Sequence, residues 1–100
     1  MSTSAGSADS PAGQIRLRYW ASARAAAGVQ EDVLEVSGPL TLAEVRTRAR
    51  ARHASSTRFS AVLETCSVLV GDQPVASEDP TSVEVAPGQT VEFLPPFAGG

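Results

Sequence analysis

The sequence predicts an α+β domain, a small mixed sheet packed on one main helix in a β-grasp arrangement, with a C-terminal tail protruding beyond the last strand. Three observations predict it. Apolar residues alternate with polar ones near both ends of the chain, as half-buried strands require. A capping box opens a helix between them, and a Pro-Pro pair stops the final strand. The 100 residues, 42% hydrophobic with a formal net charge of -3, suffice for one such domain and one modest core.

Residues 1–13 (MSTSAGSADSPAG) are small and polar and lack the basic start and apolar run of a secretion signal, so they read as a disordered tail. From Gln14 to Trp20, Ile15, Leu17 and Tyr19 alternate with Arg16 and Arg18, the period of a strand. Tyr19 and Trp20 then point to opposite faces, which leaves Trp20 partly exposed at a strand edge or interface. Alanine-rich residues 21–28 suit a short helical turn closed by Gly28. A second strand is expected over 31–37, with Leu34 and Val36 inward and Glu35 outward, until Gly38-Pro39 breaks it.

Thr41-Leu42-Ala43-Glu44 places a hydroxyl and a carboxylate where each satisfies a free amide at a helix start. Leu42, Val45, Ala49 and His53 follow on one stripe. Arg46, Arg48, Arg50 and Arg52 spread around the rest, because a two-residue step turns about 200°. They read as a solvated helix surface rather than a phosphate or RNA site, with Glu44 and Arg48 as an i, i+4 pair. Phe59, Val62 and Leu63 predict a second short helix over 57–64. A strand over 66–70 leads to a turn at Gly71-Asp72-Gln73-Pro74, and 78–89 reads as loop. A ferredoxin-like threading of the same pattern needs a second crossover helix there, and two prolines and Gly88 leave that stretch too broken to supply one. Residues 90–94 (TVEFL) form the last strand, with Val91 and Phe93 inward. The domain therefore spans 14–96, and 97–100 is a flexible tail.

Few reactive side chains are available. One cysteine, one histidine and no lysine exclude an internal disulfide, a Schiff-base amine and a P-loop, and no Cys/His cluster has metal-ligand spacing. No apolar run is long enough to cross a membrane, and the acidic balance argues against a nucleic-acid partner. A lone cysteine suits the reducing cytoplasm. Cys66 begins an apolar strand and reads as core packing rather than as a sulfur-relay thiol. His53, at a helix end, reads as support for the last carbonyls rather than as a general base.

The ending Val91-Glu92-Phe93-Leu94-Pro95-Pro96-Phe97-Ala98-Gly99-Gly100 concentrates the remaining chemistry. Two prolines stop the sheet and direct the chain outward, and Phe97 to Gly100 reach about 13 Å when extended. Gly99 and Gly100 carry no side chains, so a narrow slot in a partner admits them. A terminal carboxylate at Gly100 is ionised at neutral pH and is able to attack the α-phosphate of ATP when a partner positions both.

FLPPFAGG resembles the C-terminal signature of the MoaD/ThiS sulfur-carrier family, and within it the branch that serves molybdopterin synthase. Tyr19-Trp20-Ala21-Ser22-Ala23-Arg24 with Ala27-Gly28, the helix start at Thr41-Leu42, Ser67-Val68-Leu69-Val70-Gly71-Asp72 and Pro87-Gly88-Gln89-Thr90-Val91 are similar to that family's internal landmarks. The likeness covers about residues 14–100. Gln89 stands where an acidic residue is common, Phe97 where an aliphatic one is usual, and the relatives' lysines are absent.

The resemblance implies a ubiquitin-like fold and a protein that is not an enzyme by itself. It implies that an activating enzyme uses ATP to adenylate Gly100 and that a persulfide donor converts the adenylate to a thiocarboxylate, with no bound cofactor. The charged tail then docks in the large subunit of molybdopterin synthase, in a heterotetramer, where its sulfur attacks a cyclic pterin precursor. Gly99 gives clearance, Phe97, Pro96 and Pro95 anchor and aim the tail, Ala98 joins them in contacting the partner, and Leu94 and Leu69 offer an apolar docking face. Carriers for thiazole or cysteine synthesis, a ubiquitin-like modifier conjugated through Gly100, and an inert β-grasp module remain alternatives.

Overall fold

Alternating side chains build the sheet. The computed structural model describes residues 13–75 and 79–96. Strand β1 (Gly13–Tyr19) buries Ile15, Leu17 and Tyr19 and turns Arg16 and Arg18 to the other face. It pairs antiparallel with β2 (Glu31–Val36), where Ile15 lies opposite Leu34. On its other side it pairs parallel with β7 (Thr90–Leu94), where Tyr19 lies opposite Phe93. Strand β4 (Ser67–Val70) runs antiparallel to β7, and β5 (Gln73–Val75) antiparallel to β4. The order β2-β1-β7-β4-β5 thus places the last strand of the chain at the centre of a mixed sheet. This is the expected β-grasp.

Helices cover one face. Helix α1 (Ala21–Ala27) ends at Gly28, whose left-handed φ of 79° lets its amide donate to the Arg24 carbonyl at 2.9 Å. Helix α2 (Leu42–Arg52) starts with the expected capping box: the Glu44 amide donates to Thr41 Oγ1 at 3.1 Å, and the Thr41 amide to Glu44 Oε1 at 2.8 Å. Helix α3 (Thr57–Thr65) is capped by Ser56, whose Oγ accepts from the Phe59 amide at 3.0 Å. Leu42, Val45 and Ala49 from α2 and Phe59 and Leu63 from α3 join the inward residues of the strands in one core. Phe59 and Phe93 are its largest fully buried members.

Several details differ from the periodicity. Trp20 and Cys66 cap α1 and α3 instead of extending strands, and β1 begins one residue early, at Gly13. Gln73–Val75, expected as turn, forms an edge strand, which tolerates Pro74 because an outward nitrogen needs no hydrogen. A two-residue ribbon joins β3 (Leu40–Thr41) to β6 (Glu84–Val85) across the expected loop. A single 3-10 turn, Pro80–Ser82, precedes β6, held where Asp79 Oδ1 accepts from the Thr81 amide at 2.9 Å. The Thr81 amide and hydroxyl, both donating to that oxygen, keep the exposed Asp79 carboxyl below the usual carboxylate range. The Glu44–Arg48 pair does not form among the described contacts. Glu44 is occupied by the cap, and Arg48 Nη1 instead donates to the Glu35 carbonyl at 3.3 Å.

Candidate functional site

Of the residues expected to carry function, Leu69, Leu94, Pro95 and Pro96 are described, whereas Phe97, Ala98, Gly99 and Gly100 lie outside the described residues. The tail therefore has its root on the central strand of the sheet. Strand β7 has a bonded neighbour on each side, and Val91 and Phe93 are fully buried beneath it. After Leu94, Pro95 removes the next amide donor, and ladder pairing ends.

Alternation puts Leu94 on the face opposite the helices. Leu94 pairs with Ser67 and Leu69 with Glu92, so the two leucines are diagonal neighbours on that face, at the roughly 7–8 Å typical of such positions. Pro74 sits across from Leu69. The result is an apolar strip over β7, β4 and β5, with Leu94 and Leu69 half-buried, Pro74 exposed and Glu92 directly across from Leu69. Over β1 and β2 the same face is ionic: Arg16 Nη1 lies 2.9 Å and Arg18 Nε 4.0 Å from the Glu31 carboxylate.

Trp20 stands where the two halves meet. The residue is 38% exposed, as expected. The indole N–H donates to Glu92 Oε1 at 2.9 Å, and the Arg18 guanidinium lies 5.2 Å from the ring centroid. Both contacts hold the ring beside the apolar strip and add area to it.

Cys66 and His53 take supporting roles. Cys66 packs against the core with Sγ 3.3 Å from the Val62 carbonyl oxygen, and burial pushes its thiol up to about 11. It remains a protonated thiol at neutral pH, a poor sulfur relay. His53 is not engaged as the sequence suggests. Its Nε2 lies 2.6 Å from Asp32 Oδ2, and the Tyr19 hydroxyl donates to the same oxygen at 2.7 Å. Burial and the Asp32 carboxylate hold the Tyr19 phenol above its ordinary range, so it stays a donor. The His53 ring contacts Tyr19 and Phe59, on the helix side of the sheet and away from Leu94. This network went unread because its members are 13 and 21 residues apart and meet only through strand register.

Among the described residues, no three His, Cys, Asp or Glu side chains converge to hold a metal, and no helix is long and apolar enough to cross a membrane. What the described residues offer is an apolar strip beside the end of the central strand.

The family model described as the ThiS family matches residues 17–100. No curated protein matches the chain. Among solved structures, the fold is similar to small archaeal modifier protein 1 of Haloferax volcanii, with a TM-score of 0.68 at 17% identity over 85% of this chain and 99% of that one. It is similar to a putative molybdopterin converting factor subunit 1 of Pyrococcus furiosus, with a TM-score of 0.67 at 19% identity, covering 85% and 99% of the two chains. A complex of subunits 1 and 2 of molybdopterin-converting factor from Helicobacter pylori contains a further likeness, with a TM-score of 0.56 at 16% identity over 87% and 99%. At these identities the structures speak for the ubiquitin-like β-grasp fold alone.

Proposed function

The chain belongs to the ThiS family, and from that premise we propose that it is a sulfur carrier for molybdopterin synthesis, with Gly100 as the residue that bears the sulfur. A carboxylate oxygen of Gly100 attacks the α-phosphate of ATP in an activating enzyme, and pyrophosphate leaves. The outer sulfur of a persulfide then displaces AMP from the acyl carbon. A thiol cleaves the resulting acyl disulfide, leaving a thiocarboxylate on Gly100 and the oxidised sulfur as a disulfide. Activation is needed because a carboxylate is a poor electrophile, whereas the adenylate has a good leaving group.

The thiocarboxylate is delivered to a large partner subunit in a heterotetramer, where its sulfur attacks a cyclic pterin precursor. Leu94, Leu69 and Pro74 seat the domain, Pro95, Pro96 and Phe97 aim the tail, and Ala98 and Gly99 pass through a narrow slot. The carrier is non-catalytic, has no bound cofactor, and works in the cytoplasm, where a lone thiol stays reduced. One observation carries this reading: the segment LPPFAGG continues from the central strand of a β-grasp domain beside an apolar strip.

A second reading has its own support in the likeness to an archaeal modifier protein. In that case Gly100 is conjugated to lysines of targets. Intact mass spectrometry after incubation with an activating enzyme, ATP and a persulfide donor separates the two. Replacement of one oxygen by sulfur, localised to Gly100, is the expected result. Stable isopeptide adducts establish the modifier instead, and full pterin sulfuration by a chain lacking Gly100 overturns the carrier reading. Thiazole and cysteine carriers share the terminal chemistry and are distinguished by the partner that accepts the sulfur.

A further inference from the structure

Two arginines of helix α2 reach around the sheet to strand β2, and their placement has a different logic from the docking face. Strand β2 is an edge strand. Antiparallel pairs alternate between bonded and unbonded positions, and the Tyr19 amide donates to the Gln30 carbonyl at 2.9 Å. In that register Asp32 and Leu34 bond to β1, and the backbone groups of Glu31, Val33 and Glu35 point away from the sheet. The other side of β1 agrees, since the Arg16 and Trp20 amides donate toward β7, to Gln89 and Phe93. Outward groups of this kind are a template for another strand.

The outward carbonyls of Val33 and Glu35 are both occupied. Arg52 Nη2 donates to Val33 O at 2.7 Å, and Arg48 Nη1 to Glu35 O at 3.3 Å. The spacings match. Residues four apart on a helix rise about 6.0 Å, and residues two apart on a strand about 6.6–6.8 Å. The opposite edge is closed by other means, because the outward position of the three-residue strand β5 falls to Pro74, which has no amide hydrogen.

We propose that the β2 edge is a strand-addition surface for a second copy of this chain and that Arg48 and Arg52 hold it shut. A two-fold axis through Val33 sets the free groups of Glu31, Val33 and Glu35 in one copy against the same groups in the other, so the edge is self-complementary in its backbone. With Pro74 on the far edge, β2 against β2 is the pairing left open to the described sheet. Such pairing opposes Glu31 and Glu35 across the axis, a second barrier that salt at about 1 M screens.

The test is sedimentation of the full chain at that salt over a range of concentrations, for wild type, Arg48→Ala/Arg52→Ala, and the same double variant with Val33→Pro. Wild type is expected to remain monomeric. The double variant is expected to self-associate at least about 100-fold more tightly, because neither copy any longer gives up its two charge-assisted bonds on association. Val33→Pro removes an outward amide without touching the β1 ladder and is expected to restore the monomer. A folded double variant that stays monomeric overturns the proposal, as does association that survives the proline. Where the double variant does not fold, Arg52→Ala alone, which deletes the shorter bond, decides: folded and monomeric, it overturns the proposal equally. Sulfur loading of Gly100 does not enter the readout.

Discussion

Phe93 and Leu94 are neighbours in the chain and opposites in environment. Phe93 is fully buried against Tyr19 on the helix side of the sheet, whereas Leu94 is half-buried on a face with no helix over it. The contrast recurs along β1, where Leu17 is buried and Arg16 faces solvent. One face decides whether the chain folds, and the other decides what the folded domain meets. A small domain of this kind needs both on the same strands, because a face that meets partners has to be held rigid by the face that does not.

Phe93→Ala gives the contrast its hardest test. Removing a fully buried aromatic from a core of this size costs about 3–5 kcal/mol, much of the stability of a typical small domain. Urea unfolding of the variant is expected to show that loss. A cost under about 1 kcal/mol would mean that the helix-side face is not the cohesive one.

Asp32→Ala probes the polar rim of the same core. Its carboxylate serves the Tyr19 hydroxyl and His53 Nε2 together, and these groups are buried or half-buried. Leaving them without an acceptor costs about 1–3 kcal/mol. Glu35→Ala, on the same strand but the open face, exchanges one exposed bond from Gln14 for water and is expected to change stability by about 0.5 kcal/mol or less. Urea midpoints of the two variants compared with wild type check both values, and equal losses would erase the distinction between the faces on β2.

Where the sequence repeats a period or sets a cap, the fold is legible. Ile15, Leu17 and Tyr19 announce β1, Thr41 and Glu44 announce α2, and Gly28 closes α1 where its backbone demands a left-handed residue. The ribbon of Leu40–Thr41 with Glu84–Val85 has no period to read, since two residues per strand complete no alternation. Arg48 and Arg52 look like surface charge because their partners are main-chain carbonyls, which no side-chain pattern encodes. The tail is the reverse case, legible as the motif LPPFAGG and absent from the described geometry after Pro96.

Leu94→Asp joins a small expected change in stability to the sharpest change in recognition. Aspartate is a poor strand residue, which costs about 1 kcal/mol or less at a half-buried position. The same substitution places a charge in the apolar strip beside Leu69 and one residue before Pro95. If that strip seats a partner, desolvating the new carboxylate weakens binding to a large subunit by about tenfold or more. Isothermal titration of wild type and Leu94→Asp against such a subunit, with urea curves alongside, reads both quantities. Unchanged binding by Leu94→Asp would remove the open face from the docking surface and leave the tail alone to engage the partner. Lost binding with a nearly intact urea midpoint would separate recognition from folding at adjacent residues, one on each side of the same strand.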